Sequence, residues 1–196
     1  MKKYFVLAAI AGSLIMISCT KAPQAEMDAA KAAIEQAKIA QADLFLVTEY
    51  NALQDSMNQV TTVIELQKSR VIGSFKGAKQ TLVNVTNQAN ELVGKTSIRK
   101  EEVKNEIATS EAEIASLMDE NYSLVAIAPK GKEGKEALEA IKSDLASIES
   151  TTPEIKTLLL NNELIAAQTK ASAAKQKATT INAELKKVME KYMAKR

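Results

Sequence analysis

Apolar side chains recur every three or four residues from about residue 24 onwards, which is the spacing of one face of an α-helix. The first stretch begins near Gln24, and acidic residues in its first turn suit a helix N-terminus. The second begins near Thr48, which is suited to capping a helix, and ends near Lys68. The predicted apolar faces hold Met27, Ala30, Ile34, Ala37 and Leu44 in the first stretch, and Tyr50, Leu53, Met57, Val60, Val63, Ile64 and Leu66 in the second.

The longest periodic stretch covers residues 71–128, and most of its seam positions are apolar, which predicts a coiled-coil-type seam. The seam holds Val71, Phe75, Ala78, Leu82, Val85, Ala89, Leu92, Thr96, Arg99, Val103, Ile107, Ser110, Ile114, Leu117, Asn121, Leu124 and Ala128. Gly94 disfavours a helix in the segment GKTSIRK, so one continuous helix and two helices meeting there both fit the pattern. We expect Arg99 to mark such a break and to face water. Asn121 either fixes the register or oligomeric state of the seam or has no such role.

Two later segments resemble helix boundaries. APKGKEG, at 128–134, is the clearest break in the chain, and a helix from about Glu133 to Glu149 follows it. In STTP, at 150–153, Thr152 can cap a new helix whose first position is Pro153. Asn161-Asn162 marks a turn between the last two helices. Since no stretch alternates like a strand, we predict an all-α fold, an elongated bundle of antiparallel, coiled-coil-like helices over 24–196 with no sheet.

The composition agrees with long helices joined along narrow seams. Trp is absent, Phe and Tyr are few, and Ala is abundant, which allows helices to approach closely. Without Lys2 and Lys3 of a leader, the 26 basic residues become 24 and equal the 24 acidic ones, so nothing indicates nucleic-acid binding. Acidic residues dominate Glu26–Glu65 and basic residues dominate Lys170–Arg196. We expect these two faces to complement each other when packed; contact of the basic helix with phospholipid or an acidic polymer is the alternative.

The N-terminus has the organisation of a secretory signal. Two lysines precede an apolar run from Phe5 to Ile17, and this run is too short for a membrane span of about 20 residues. Ser18 and Cys19 follow. Cys19 is the only cysteine, so it has no partner for a disulfide within the chain, and the chain has no His to support thiol chemistry.

This segment resembles a bacterial lipoprotein signal, in which small and apolar residues precede the cysteine that becomes the acylated first residue. Ile17 and Ser18 fit that pattern, whereas Met16 stands where Leu is more usual. The resemblance implies a signal peptide over 1–18, lipidation at Cys19 and a short tether over 19–23. Thr20 in place of an Asp favours the outer membrane over the inner one.

The mature chain as a whole resembles an Ala-rich, all-helical family of bacterial envelope lipoproteins of unknown function. The resemblance is carried by Cys19, Ala22-Pro23, DAAKAAIEQAK, APKGKEG and NNELIAAQTKASAAKQKA. It implies tetratricopeptide-like helical hairpins and supplies no catalytic residue. The last residues also resemble those of the murein-linked lipoprotein, but Arg196 follows Lys195, so we expect no covalent link to peptidoglycan.

The residues offer little chemistry. Without His or a second Cys, we expect no catalytic site, no metal site and no cofactor. Adjacent carboxylates, such as Glu101 with Glu102 or Asp119 with Glu120, are typical of a solvated helix face. GSFKGAK, at 73–79, lacks the spacing of a nucleotide phosphate loop.

We therefore expect a membrane-anchored structural or protein-interaction scaffold in the cell envelope. Its partners would be the membrane, through the anchor, and an envelope protein or a second copy of the chain. A carrier of an apolar ligand within the bundle, with Met and Leu side chains lining a cavity, is the alternative.

Overall fold

The computed structural model describes residues 21–70, 74–129 and 132–194, and this part of the chain consists of helices joined by short turns. The helices are α1 (Gln24–Ile39), α2 (Ala42–Phe45), α3 (Val47–Lys68), α4 (Lys76–Ile127), α5 (Lys132–Leu160) and α6 (Leu164–Met193). No strand occurs in the described ranges, which confirms the all-α prediction. The predicted signal peptide, Cys19, Thr20, Val71 and the two C-terminal residues lie outside these ranges.

The central helix α4 has 52 residues, which corresponds to a length of about 78 Å. In its first half it packs with α1, which runs parallel to it and begins beside its N-terminus, where Lys79 pairs with Glu26. The antiparallel α3 places Glu49 near Lys95 and Gln67 near Gly77. Each of these three helices contributes to one apolar cluster, so the first half of the chain forms a three-helix bundle.

The second half repeats this arrangement with α5 and α6. The parallel helix α6 places Asn182 against Asn121 of α4. The antiparallel α5 is joined to α6 by ion pairs of Glu154 with Lys170 and of Asp144 with Lys177. The molecule is therefore a rod of two three-helix bundles that share α4. A third apolar cluster joins them at the waist and contains Phe45, Val103, Ile107, Ile155, Leu158, Leu159, Leu164, Ala167 and Ala171.

Alanine determines which helices approach α4 most closely. The buried faces of α1 and α6 consist largely of Ala, and these are the two helices that pack most extensively against α4. The small side chain allows backbones to approach, and Ala loses no side-chain entropy on burial. The buried alanines are Ala30, Ala33 and Ala37 on α1, and Ala167, Ala171, Ala174 and Ala178 on α6.

The helix α4 is continuous across GKTSIRK, the segment where the sequence fitted either one helix or two. Gly94 is exposed, and a Cβ placed there would meet no atom within 4 Å. Thr96 is fully buried, and its hydroxyl donates to the carbonyl of Leu92 at 2.7 Å within the helix. A helical Gly costs only about 1 kcal/mol relative to Ala. Burial of Leu92 and Val103 on either side exceeds that cost, at roughly 1.5–3 kcal/mol for each buried aliphatic side chain.

The predicted boundary at STTP is wrong, because α5 continues through Pro153. Ile148 and Ile155 are both buried, so packing on each side holds the helix together despite the missing backbone donor. The predicted cap at Thr48 is also wrong, since α3 begins at Val47 after Leu46. The turn at Asn161-Asn162 is confirmed, and Asn162 has a φ of 60°.

The predicted apolar faces differ in detail from the buried ones. Leu44, Val63 and Leu66 are exposed. Late in α4 the buried positions are Met118 and Val125, each one residue beyond the predicted seam. A straight α-helix drifts by about 20° per seven residues relative to a strict heptad seam. Over a helix of this length the drift moves the next residue onto the buried face.

Candidate functional site

The described chain begins at one end of the rod. Ala22 packs on the first apolar cluster and Pro23 is buried, so the chain is held against the bundle from residue 22. Part of the predicted tether over 19–23 is therefore packed against the core. We call this end the proximal end and define it by Lys21, Lys68–Arg70 and 74–79. The opposite, distal end is formed by 127–129 and 186–194, because Asn182 and Lys186 lie beside Glu120 and Asn121, close to the end of α4.

A recess of about 460 Å³ opens at the proximal end. Lys79 forms a 3.0 Å ion pair with Glu26, and this lysine holds the pKa of Glu26 below its ordinary value. Lys21 and Lys76 form no ion pair within the described ranges. The recess is lined by Lys21, Ser74, Phe75, Lys76, Lys79, Gln80 and Val83, and we call it the proximal recess.

Two further recesses lie between α3 and α4 and share Ser56. Their volumes are about 330 and 280 Å³, and both open at the surface. Lys95 and Glu91 pair at 2.7 Å beside the first, which raises the pKa of Lys95. Gln67 lines the second, and its buried Oε1 has no hydrogen-bond partner among the residues that the structure describes. These grooves combine polar and apolar side chains and differ from the enclosed Met- and Leu-lined cavity that the carrier hypothesis requires.

The structure brings Asn121 together with Asn182, a pairing that sequence reasoning did not predict. Asn121 is fully buried, donates from Nδ2 to the carbonyl of Ala178 at 2.9 Å, and accepts from Asn182 Nδ2 at 2.9 Å. Lys186, and then Asn182, hold the pKa of Glu120 below its ordinary value. The pair fixes the register of α4 against α6 within one chain. The sequence signal for Asn121 was its seam position, whereas Asn182 stands beside the apolar residue Ile181 and carries no such signal.

Arg99 lies at the waist of the rod, inside a continuous helix. Its guanidinium pairs with Glu106 at 2.6 Å and with Glu102 at 3.1 Å, so the pKa of Arg99 is raised and that of Glu106 is lowered. Gln168 of α6 donates to Glu106 at 2.6 Å. Arg99 is half-buried and does not mark a helix break, so that part of the prediction is wrong. It belongs to a polar network that links α4 to α6.

The charge prediction for the two ends of the sequence is also wrong. The basic face of α6 pairs with acidic residues of α4 and α5 and not with those of α1 and α3. The pairs are Lys170 with Glu154, Lys175 with Glu113, Lys177 with Asp144 and Lys186 with Glu120. The acidic stretch and the basic helix belong to different bundles that meet only at the waist, and no ion pair joins them within the described residues.

The carboxylates noted in the sequence are held mostly by cations. Glu101 pairs with Lys104, Glu102 with Arg99, and Glu120 with Lys186. Within 21–70, 74–129 and 132–194, no three His, Cys, Asp or Glu side chains lie close enough to hold a metal ion. None of the helices in those ranges combines the length and the apolar character that a membrane crossing needs.

Comparison with known proteins yields no matching family model, no matching curated protein and no matching solved structure.

Proposed function

We propose that the chain is a lipid-anchored bacterial envelope protein that acts as a structural or protein-interaction scaffold. In this proposal Cys19 carries the acyl chains, and the outer membrane is favoured over the inner one by Thr20. Residues 1–18 are the signal peptide that is removed. No catalytic residue, metal or cofactor takes part.

The observation that best supports the proposal is the parallel direction of α1, α4 and α6. An anchor at Cys19 would be attached at the proximal end, while α6 ends at the distal end. The length of α4 separates the two ends by about 78 Å. Two or more acyl chains hold a protein firmly, whereas one chain binds a membrane only marginally. A rod held at one end would present its distal end to a partner well away from the membrane surface.

Intact-mass analysis of the full chain from native membranes tests the anchor, together with membrane fractionation of two variants. We expect a mature mass that begins at Cys19 and includes acyl groups. Cys19→Ala should leave the membrane fraction, whereas Ser18→Ala, which keeps a small residue before the cysteine, should remain in it. A chain that is cleaved without acylation, or a Cys19→Ala variant that stays in the membrane, would contradict the proposal.

Native mass spectrometry of the same sample separates the scaffold from the carrier. A scaffold is expected to show the mass of the acylated chain and of any protein complex, with no bound small molecule other than membrane phospholipid. A stoichiometric apolar ligand that is not a phospholipid and is released on unfolding would contradict the scaffold and support the carrier.

A further inference from the structure

We infer that the proximal recess binds the phosphate headgroup of an anionic phospholipid in the membrane that holds the anchor. This inference rests on the proposed acylation of Cys19. It adds a second, electrostatic contact that would hold the end of the rod against the membrane surface.

The chain between the proposed anchor and the recess is short. Only Thr20 separates Cys19 from Lys21. Two residue steps of extended chain span at most about 7 Å. From residue 22 the chain is packed on the bundle, so the tether adds no further reach. Acyl chains in the hydrocarbon layer would therefore bring the proximal end of the rod into the headgroup layer.

The lining of the recess is rich in cations and hydrogen-bond donors. Lys21 and Lys76 supply ammonium groups that form no ion pair within the described ranges, and Lys79 supplies a third that is shared with Glu26. The Ser74 hydroxyl and the Gln80 amide are further potential donors on the same lining. Phosphate oxygens are acceptors that such cations bind well. An anionic membrane surface attracts nearby lysines and arginines, and each one strengthens the contact about fivefold.

Part of the same lining is apolar. Phe75 and Val83 lie beside the cations, and Val83 is exposed. A recess that combines cations with apolar side chains suits the boundary between headgroups and acyl chains. Arg70 is also exposed at this end and forms no ion pair within the described ranges, so it adds to the positive field.

The test uses two glycines of α4 as labelling sites in the acylated full chain. Both Gly77 and Gly94 leave open space around an added Cβ, and the 17-residue interval between them corresponds to about 25 Å along the helix. Since Cys19 would be acylated, Gly77→Cys or Gly94→Cys provides the only free thiol for a fluorophore. Vesicles of phosphatidylcholine, with or without phosphatidylglycerol, carry a headgroup quencher, and flotation reports binding separately.

We expect stronger quenching of the label at residue 77 in the anionic vesicles, with little change at residue 94. We call a rod docked when its label at residue 77 is quenched by the headgroups. In the Lys21→Gln/Lys76→Gln variant, the ratio of docked to undocked rods on anionic vesicles should fall by about tenfold to thirtyfold. The matched control, Lys187→Gln/Lys191→Gln, removes the same charge from the distal end and should leave that ratio unchanged. High salt should abolish the difference between the vesicles, because it screens exposed charges.

Two results would count against these proposals in distinguishable ways. If the chain floats with both vesicles but the label at residue 77 is quenched equally in each, the headgroup site is wrong and the anchor remains. If the ratio of docked to undocked rods is unchanged in the Lys21→Gln/Lys76→Gln variant, the headgroup site is likewise wrong and the anchor remains. If the chain floats with neither vesicle, the anchor itself is wrong, and the headgroup site is lost with it.

Discussion

Replacing Asn121 by Ala tests the buried contact that sets the register of α4 against α6. The change removes the acceptor of Asn182 Nδ2 and the donor to the carbonyl of Ala178, both at 2.9 Å in a fully buried position. A buried donor without a partner costs about 1–3 kcal/mol, and each lost hydrogen bond about 1 kcal/mol. Since Ala gains roughly 0.5 kcal/mol in helix propensity, we expect a net loss of about 2.5–4.5 kcal/mol in the free energy of unfolding.

Urea unfolding of the full chain in mild detergent, followed by circular dichroism, measures this loss. Asn105 is an exposed asparagine of the same helix, and Asn105→Ala should change the stability by no more than about 0.5 kcal/mol. In the double variant Asn121→Leu/Asn182→Leu neither amide remains to be satisfied, so it should be more stable than the sum of its single variants predicts. The reasoning is refuted if Asn121→Ala costs no more stability than Asn105→Ala. It is also refuted if the stability changes of Asn121→Leu and Asn182→Leu simply add in the double variant.

Three other changes test the continuity of α5, the close packing of α6 and the ion pairs along α4. Pro153→Ala should raise the stability by about 1–3 kcal/mol in urea unfolding, because it restores a backbone donor inside α5. Ala178→Leu should lower it by about 1–3 kcal/mol in the same assay, because Ala178 is fully buried against α4. The folded pKa values of Glu106 and Glu120 lie below the ordinary glutamate value of 4.5. The two ionised carboxylates should therefore contribute fully to the free energy of unfolding above pH 4.5, and this contribution should be lost as the pH falls through their folded pKa values. Stability measured against pH in Glu106→Gln and Glu120→Gln should therefore fall less steeply on acidification.

The first two of these predictions each have a matched control. Pro129 lies outside the helices, so Pro129→Ala should bring no gain comparable to that of Pro153→Ala. Ala173 is exposed on α6, and Ala173→Leu should change stability by no more than about 0.5 kcal/mol. An acid response identical to that of the unmodified chain in both Gln variants would show that these ion pairs contribute nothing measurable.

Several features of the fold could be predicted from local sequence. The apolar faces of α1 and α3 place Met27, Ile34, Leu53 and Val60 inward, because period and side-chain type are properties of a short stretch. The break after residue 128 and the turn at Asn161-Asn162 follow from residues that terminate helices locally. For the proposed site, the sequence alone indicated Cys19, since a lipoprotein signal depends on a few adjacent residues.

The tertiary structure decided what depends on partners far apart in the chain. Pro153 was read as a boundary and Gly94 left a break in α4 open, because both residues lower helix propensity, yet burial on either side of them outweighs that local cost. Asn182 became the partner of Asn121 only because α6 runs parallel to α4 in one register. The proximal recess likewise depends on packing, which brings Lys21 beside Lys76 and Lys79. Propensity acts over a few residues, whereas burial and pairing depend on the whole bundle, so the sequence determined the helices and the structure determined which of their residues meet.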